Sequence, residues 1–262
     1  MPSEKSGNEI TKIKVGKVKI TVVFKAEELK ISPDTYTELR LYEGKVLSDQ
    51  ELAEIKAREQ IDKLLKNALV SVSKGHPTKK ALIAKLEAKG ASRLQIDKII
   101  EILTRSGLLD DQQFLNDYLE YAKNKGYGKE RILQGLYEKG VPHHLIQGVI
   151  FDYGEEFERA ENVLPNLEQK FLRYNYVQRK RRIYEALLRL GYESGVAIKL
   201  IDKIKRGSEK DEFAHLRSDL EKARRKYEDK GRKKIVEHLL AKGYRYKDIA
   251  QIMAEEQNDE MD

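Results

Sequence analysis

The chain has 262 residues, of which 36 % are Asp, Glu, Lys or Arg and none is Cys, with 51 basic against 44 acidic side chains. Without cysteine there are no disulfides, thiolate nucleophiles or thiolate metal sites, which suits a reducing compartment and makes the cytoplasm the expected location. No apolar run reaches the ~18 residues that a membrane span needs, and no secretory signal is present, so no membrane contact is expected.

Residues 1–48 follow a period of two. Val18, Ile20, Val22 and Phe24 alternate with Lys17, Lys19, Thr21 and Lys25, and Leu29 with Ile31 continues the pattern after a turn at Ala26 and Glu27. This predicts a small antiparallel sheet, too small to stand alone, packed on the helix that follows. Ser32 and Pro33 read as the cap and first residue of a short helix, with Gly44 ending that segment.

From residue 49 onward the period changes to that of a helix. Ser48 and Glu51 form a capping box, and Leu52, Ile55, Ile61, Leu64, Leu65, Ala68, Leu69 and Val72 form one apolar stripe, ended by His76 and Pro77. Gly90, Gly140, Gly191 and Gly243 then fall 50, 51 and 52 residues apart. Leu86, Leu136, Leu187 and Leu239 precede these glycines by four residues, and Leu82, Ile132, Ile183 and Ile235 by eight. Ile96, Ile146, Ala197 and Ile249 follow by six, and Ile99, Val149, Leu200 and Ile252 by nine. These spacings describe helix, glycine stop, helix, with a longer first helix before each pair.

The fold expected is therefore mostly α: four tandem three-helix repeats in an elongated curved array, behind a small N-terminal antiparallel β-sheet. The divisions are 1–48 for the sheet and short helix, then repeats at 49–107, 108–153, 154–207 and 208–256, and an acidic tail at 257–262. First helices are expected near 49–74, 111–125, 154–174 and 209–229. Asp110 and Gln113 are placed as a capping box, and Pro165 should kink or break its helix near Leu164. The four repeat glycines should adopt left-handed geometry as helix stops, whereas Gly135, inside a helix, should accept alanine. The last eight residues carry five carboxylates and are expected to be disordered.

No catalytic constellation is present. There is no phosphate loop ending in Gly-Lys-Ser/Thr, and Gly191 to Gly195 has the wrong spacing for a nucleophile elbow. His143 and His144 are adjacent and point about 100° apart on a helix, so they read as a solvated pair and not a metal site. Asp110 and Asp111 could in principle hold a divalent cation, but at a helix start they read as caps. No enzyme activity, metal or cofactor is expected.

The basic residues recur with the repeat. Lys79 and Lys80, then Lys129 and Arg131, then Arg179, Lys180, Arg181 and Arg182, then Arg232, Lys233 and Lys234 stand at the start of successive second helices, with Arg224 and Arg225 in the basic run from Lys222 to Lys234. Equivalent positions of a stacked array share a surface, so these side chains form a candidate stripe for a phosphate backbone or an acidic groove. In a single repeat the same residues would read as an ordinary solvated helix face. Tyr127, Tyr174, Tyr176, Tyr244 and Tyr246 lie beside the same corners, as candidates to stack on bases or to pack between helices. The second and third helices, joined at a glycine, also resemble a helix-turn-helix that would contact DNA directly. A plain protein-interaction scaffold is a third reading.

GLLDDQQFLNDY, from Gly107 to Tyr118, followed by KGYGKERILQGLYEKGV, from Lys125 to Val141, resembles the central signature of the RecX regulators of bacterial RecA recombinase. The N-terminal sheet and fourth repeat are similar to longer Gram-positive members. After Tyr118 the family tends to carry arginine where this chain has Tyr121 and Lys123, and the fourth repeat matches loosely. The resemblance implies a modular helical protein, taken here as a monomer, that lies along the RecA filament on DNA. There it would modulate strand exchange and ATP hydrolysis, usually as an inhibitor, with weak direct contact to single- or double-stranded DNA and no chemistry of its own.

Overall fold

The computed structural model describes residues 8–259. Three short strands, β1 (Lys12–Val15), β2 (Ile20–Val23) and β3 (Glu28–Ile31), form an antiparallel sheet in the order β1-β2-β3. Val22 lies opposite Ile13 and Leu29, and Ile20 opposite Val15 and Ile31. Directly opposed residues share a face, so this register gathers the branched side chains on one side. Ile20, Val22, Phe24 and Ile31 are buried there against Leu52 and Ile55. Val18 is not in a strand and is 72 % exposed. The alternation extends one step too far back because the chain must turn there, with Gly16 N donating to Lys19 O at 3.1 Å.

Helix α1 (Pro33–Glu38) starts as expected, with the Ser32 side chain accepting from Thr35 N. It ends earlier than Gly44: Leu39 is its C-cap and Arg40 takes φ +46°. Gly44, at φ +91°, instead serves the turn in which Lys45 N donates to Tyr42 O.

Helix α2 (Asp49–Ser73) opens with the Ser48/Glu51 capping box in both directions. Its stripe serves two cores. Leu52 and Ile55 meet the sheet, while Leu64, Ala68 and Val72 pack with Leu82, Leu86, Ile96, Ile99 and Leu103. Leu69, counted in the stripe, is 38 % exposed. Glu59, unremarked in the sequence, is buried between the two cores and accepts from Lys19 Nζ (2.6 Å), Ser32 N (2.7 Å) and Thr35 Oγ1 (3.0 Å). Burial raises its pKa, but these three donors outweigh burial and hold the carboxyl below its ordinary value.

The remaining helices are α3 (Lys79–Glu87), α4 (Arg93–Arg105), α5 (Asp111–Asn124), α6 (Lys129–Glu138), α7 (His143–Gln147), α8 (Tyr153–Lys170), α9 (Tyr176–Arg189), α10 (Ser194–Lys203), α11 (Glu209–Lys226), α12 (Gly231–Ala241) and α13 (Tyr246–Asp259). Of the sixteen apolar positions that define the repeat, all are buried except Val149, which is half-buried. The chain divides into two compact bodies, one running to Phe114 and including Lys139–Val141, the other made of Leu115–Glu138 and the chain from Pro142 onward. In the second body α8, α9 and α10 share one core, and α11, α12 and α13 another.

Gly90, Gly140, Gly191 and Gly243 all adopt positive φ, between +76° and +91°. Each follows a second helix as its left-handed stop.

Three expectations need correction. Helix α8 continues through Pro165 without a break. The ring removes one backbone donor, yet Ala160, Leu164 and Leu167 on the buried side keep both halves on a common core. Gly135 is not an idle helix position: an added Cβ would collide with the hydroxyl of Tyr118 and lie 2.8 Å from its Cζ. Of the acidic tail expected at 257–262, residues 257–259 belong to α13 and residues 260–262 lie outside the described residues.

Candidate partner and nucleic-acid interface

The second helix of each repeat begins at an N-terminus whose free N–H groups need acceptors. In three of the four, a carboxylate from the first helix of the following repeat supplies one. Lys79 N donates to Asp111 Oδ1 at 2.8 Å, Lys129 N to Glu156 Oε1 at 2.8 Å, and Tyr176 N to Glu212 Oε1 at 3.1 Å. Asp111 and Glu156 are buried for this purpose. Asp110 caps its own helix, accepting from Gln112 N and Gln113 N at 2.8 and 3.3 Å. The aspartate pair is thus two caps on two different helices.

The same helix starts meet the glycine stops. Thr78 Oγ1 donates to Lys139 O at 2.6 Å and Asn175 Nδ2 to Lys242 O at 3.1 Å. Gly128 N donates to Leu190 O and Glu130 N to Gly191 O, at 2.8 and 3.0 Å. A Cβ on Gly140 would meet the Lys80 side chain, one on Gly191 the backbone of Arg131, and one on Gly243 the side chain of Val177. Gly90 has nothing within 4 Å of such an atom. A helix C-terminus carries partial negative charge, so a cation placed against it is favourable. Arg131 Nη1 donates to Arg189 O at 3.3 Å in this setting. The recurrence of basic residues at these corners therefore has an architectural cause besides any partner.

This divides the candidate residues. Lys79 is half-buried and Lys80 exposed beside Gly140. Lys129 pairs with Glu193 at 3.0 Å, and the Arg131 guanidinium covers the Tyr127 ring at 3.9 Å. Arg179 is buried, at 7 % exposure, with Nη2 donating to Lys205 O at 3.0 Å, which removes it from any outward-facing set. Lys180 pairs with Asp202 at 3.1 Å and Arg181 with Glu185 at 3.0 Å, while Arg182 lies 4.0 Å from the centre of the Tyr174 ring. Arg224 is half-buried, and Arg225 is exposed with Glu221 at 4.0 Å.

The start of α12 is built differently. Arg232, Lys233 and Lys234 are exposed at the start of α12, whose cap residue Lys230 makes no side-chain capping bond, and Lys234 pairs with Glu237 at 3.1 Å. The candidate arginine and lysine side chains that are exposed are thus Lys80 on α3, Arg131 on α6, Arg181 and Arg182 on α9, Arg225 on α11, and Arg232, Lys233 and Lys234 on α12.

The tyrosines separate in the same way. Tyr244 is buried and its hydroxyl donates to Asp219 Oδ2 at 3.0 Å, so it packs and does not stack. Tyr176 packs on the α8–α10 core, and Tyr127 and Tyr174 carry guanidinium groups on their rings. Tyr246, 66 % exposed at the start of α13, presents an open ring. Tyr192, which the sequence did not flag, is buried with its hydroxyl donating to Gly126 O at 2.8 Å, and burial pushes its pKa up to about 12.

His143 and His144 are both exposed, and among the described residues no three His, Asp or Glu side chains come together in a group able to hold a metal ion. No helix of the described residues is long and apolar enough to cross a membrane.

The family model described as RecX, second three-helix domain, matches residues 110–150. Regulatory protein RecX of Bacillus subtilis (strain 168) is 26 % identical over 235 residues, covering 87 % of this chain and 89 % of that protein. The relative of the same name from Staphylococcus carnosus (strain TM300) is 29 % identical over 242 residues, covering 87 % and 88 %. That from Staphylococcus saprophyticus is 27 % identical over 259 residues, covering 92 % and 93 %. A crystal structure of regulatory protein RecX shares the fold, with a TM-score of 0.57 at 20 % identity, over 74 % of this chain and 99 % of that one. The chain is thus similar to regulatory proteins named RecX along most of its length, and its residues 110–150 match the second three-helix domain of that family.

Proposed function

We propose that this chain is a non-enzymatic, cytoplasmic regulator that binds the filament of RecA recombinase on DNA and inhibits its ATP hydrolysis and strand exchange. The observation that carries this reading is the match to regulatory RecX proteins over 87 to 92 % of the chain. In this reading the chain acts as four three-helix repeats behind a sheet. The outward cations at the starts of α9 and α12 are the contacts to the filament, and Arg181, Arg182, Arg232 and Lys233 are its principal side chains.

The test is the single-strand-dependent ATPase of the recombinase with this protein at substoichiometric ratio. Inhibition is expected, and no change in ATPase or strand exchange would remove the proposal. The alternative is direct DNA binding through the same corners, favoured by the open ring of Tyr246 at the start of α13. It predicts binding of free protein to DNA with a steep salt dependence, each lost phosphate contact reducing the slope by roughly 0.7 to 0.9. A filament regulator binds tightly only when recombinase and nucleotide are present.

A further inference from the structure

The position that carries the capping carboxylate in repeats two to four is changed in the first repeat. Asp111, Glu156 and Glu212 each stand four residues before a buried side chain of their own repeat, Leu115, Ala160 and Leu216. The same step before Leu64 gives Gln60. Around it on α2 stand Lys56, Lys63 and Lys66, and across from them the sheet contributes Lys19, Leu29 and Lys30. Together these walls enclose a groove of about 750 Å³.

At its floor Glu59 is saturated by Lys19, Ser32 and Thr35, and Lys56 is paired with Glu27 at 2.5 Å. Lys30, Lys63 and Lys66 are exposed, and none has a carboxylate partner among the described residues. The one carboxylate of this face, Glu59, is already taken up by Ser32 N at the start of α1 and by Lys19, so what the groove presents outward is cations. It would repel the positive, Lys-rich helix start that such a joint receives.

We propose that this groove binds an extended acidic segment of a protein partner that carries an apolar anchor. The lysine stems and Leu29 make walls that are mostly carbon, and a lysine stem can cover apolar surface while its head stays in water. A phosphodiester chain has no apolar group to set against such walls. The lining also holds no arginine and no aromatic ring, the side chains that read or stack on bases. From Lys56 to Lys66 the helix rises about 15 Å, the length of about five extended residues. Acidic side chains at alternate positions would reach Lys30 on one side and Lys63 and Lys66 on the other, with the anchor over Leu29.

The experiment uses the full chain and three fluorescein-labelled probes read by anisotropy: a ten-residue peptide of Glu and Asp with one central Phe, the same peptide without Phe, and a ten-nucleotide oligothymidylate. The Phe peptide should bind about tenfold more tightly than the all-acidic one, and Lys30→Glu with Lys66→Glu should weaken it by about tenfold with unchanged circular dichroism. Arg232→Glu with Lys233→Glu should leave its affinity as it was. The proposal is overturned if the two peptides bind equally, if oligothymidylate displaces the Phe peptide, if reversal at α12 is what abolishes binding, or if no peptide binds. The measurement needs no recombinase, so its outcome is separate from that of the filament reading.

Discussion

Gly90, Gly140 and Gly191 share one backbone conformation and differ in what surrounds them, which separates the cost of conformation from the cost of contact. At Gly90 (φ +76°) an added Cβ meets nothing within 4 Å. Gly90→Ala should therefore cost only the left-handed penalty, about 1 kcal/mol. At Gly140, also at φ +76°, the Cβ would lie 2.9 Å from Lys80 Cβ and 3.0 Å from its Cγ, a flexible chain half in water. Gly140→Ala should cost about 2 kcal/mol, the excess being the displaced stem. At Gly191 (φ +88°) the Cβ would overlap the Arg131 backbone, 2.9 Å from its Cα, and two backbone hydrogen bonds, Gly128 N to Leu190 O and Glu130 N to Gly191 O, hold the two chains together at that point. Backbone there cannot yield without stretching those bonds, so strain of about 1 kcal/mol, overpacking of 1–3 and about 1 for each of the two weakened bonds put Gly191→Ala at about 4–6 kcal/mol. Thermal unfolding followed by far-ultraviolet circular dichroism should show losses of about 2–4 °C for Gly90→Ala and roughly 10 °C or more for Gly191→Ala, with Gly140→Ala between. Gly90 and Gly140 lie in the same compact body, which makes that pair a like-for-like comparison. Equal losses at all three positions would refute the reasoning, because only φ would then matter.

Gly135→Ala should lower the melting temperature by several degrees, since its Cβ must displace the Tyr118 ring, and Tyr118→Phe in the same chain should recover part of the loss by removing the clashing hydroxyl. An unaltered single variant would show that the ring is free to move. Glu59→Gln should cost about 2–3 kcal/mol at neutral pH, because Lys19 loses its ionic partner in a site where the carboxylate is only 7 % exposed. The folded pKa of Glu59 lies below its ordinary value of 4.5. Its contribution is thus fully present above that value and lost as pH falls through the folded pKa, so urea midpoints of wild type and variant should converge under acid conditions. A gap that persists there would assign the effect to shape instead of charge. Arg181→Glu with Arg182→Glu should leave folding intact, because both are exposed on α9. Inhibition of the recombinase ATPase should disappear, and wild-type behaviour in both ATPase and DNA-binding assays would return these residues to an ordinary solvated face.

Local pattern was enough for the helices and their stops. The period of Leu82, Leu86, Ile96 and Ile99, repeated three times, named the buried face of each repeat, and a glycine between two such faces can only be a left-handed stop. Capping by Ser32, Ser48 and Asp110 was equally legible, because a cap acts within one turn of its own helix. What the sequence alone did not decide was everything that acts between segments distant along the chain. Asp111, Glu156 and Glu212 look like ordinary first-turn acids until the preceding repeat is seen to donate to them. Gly135 looks dispensable until Tyr118 is found against it, and Arg179 looks like its three basic neighbours until its position on α9 turns it inward to Lys205. The basic corner was visible as a recurrence, but a cation beside a helix C-terminus and a cation awaiting a partner have the same sequence. Only tertiary packing, which turns Arg179 inward and leaves Arg181, Arg182, Arg232 and Lys233 exposed, tells them apart.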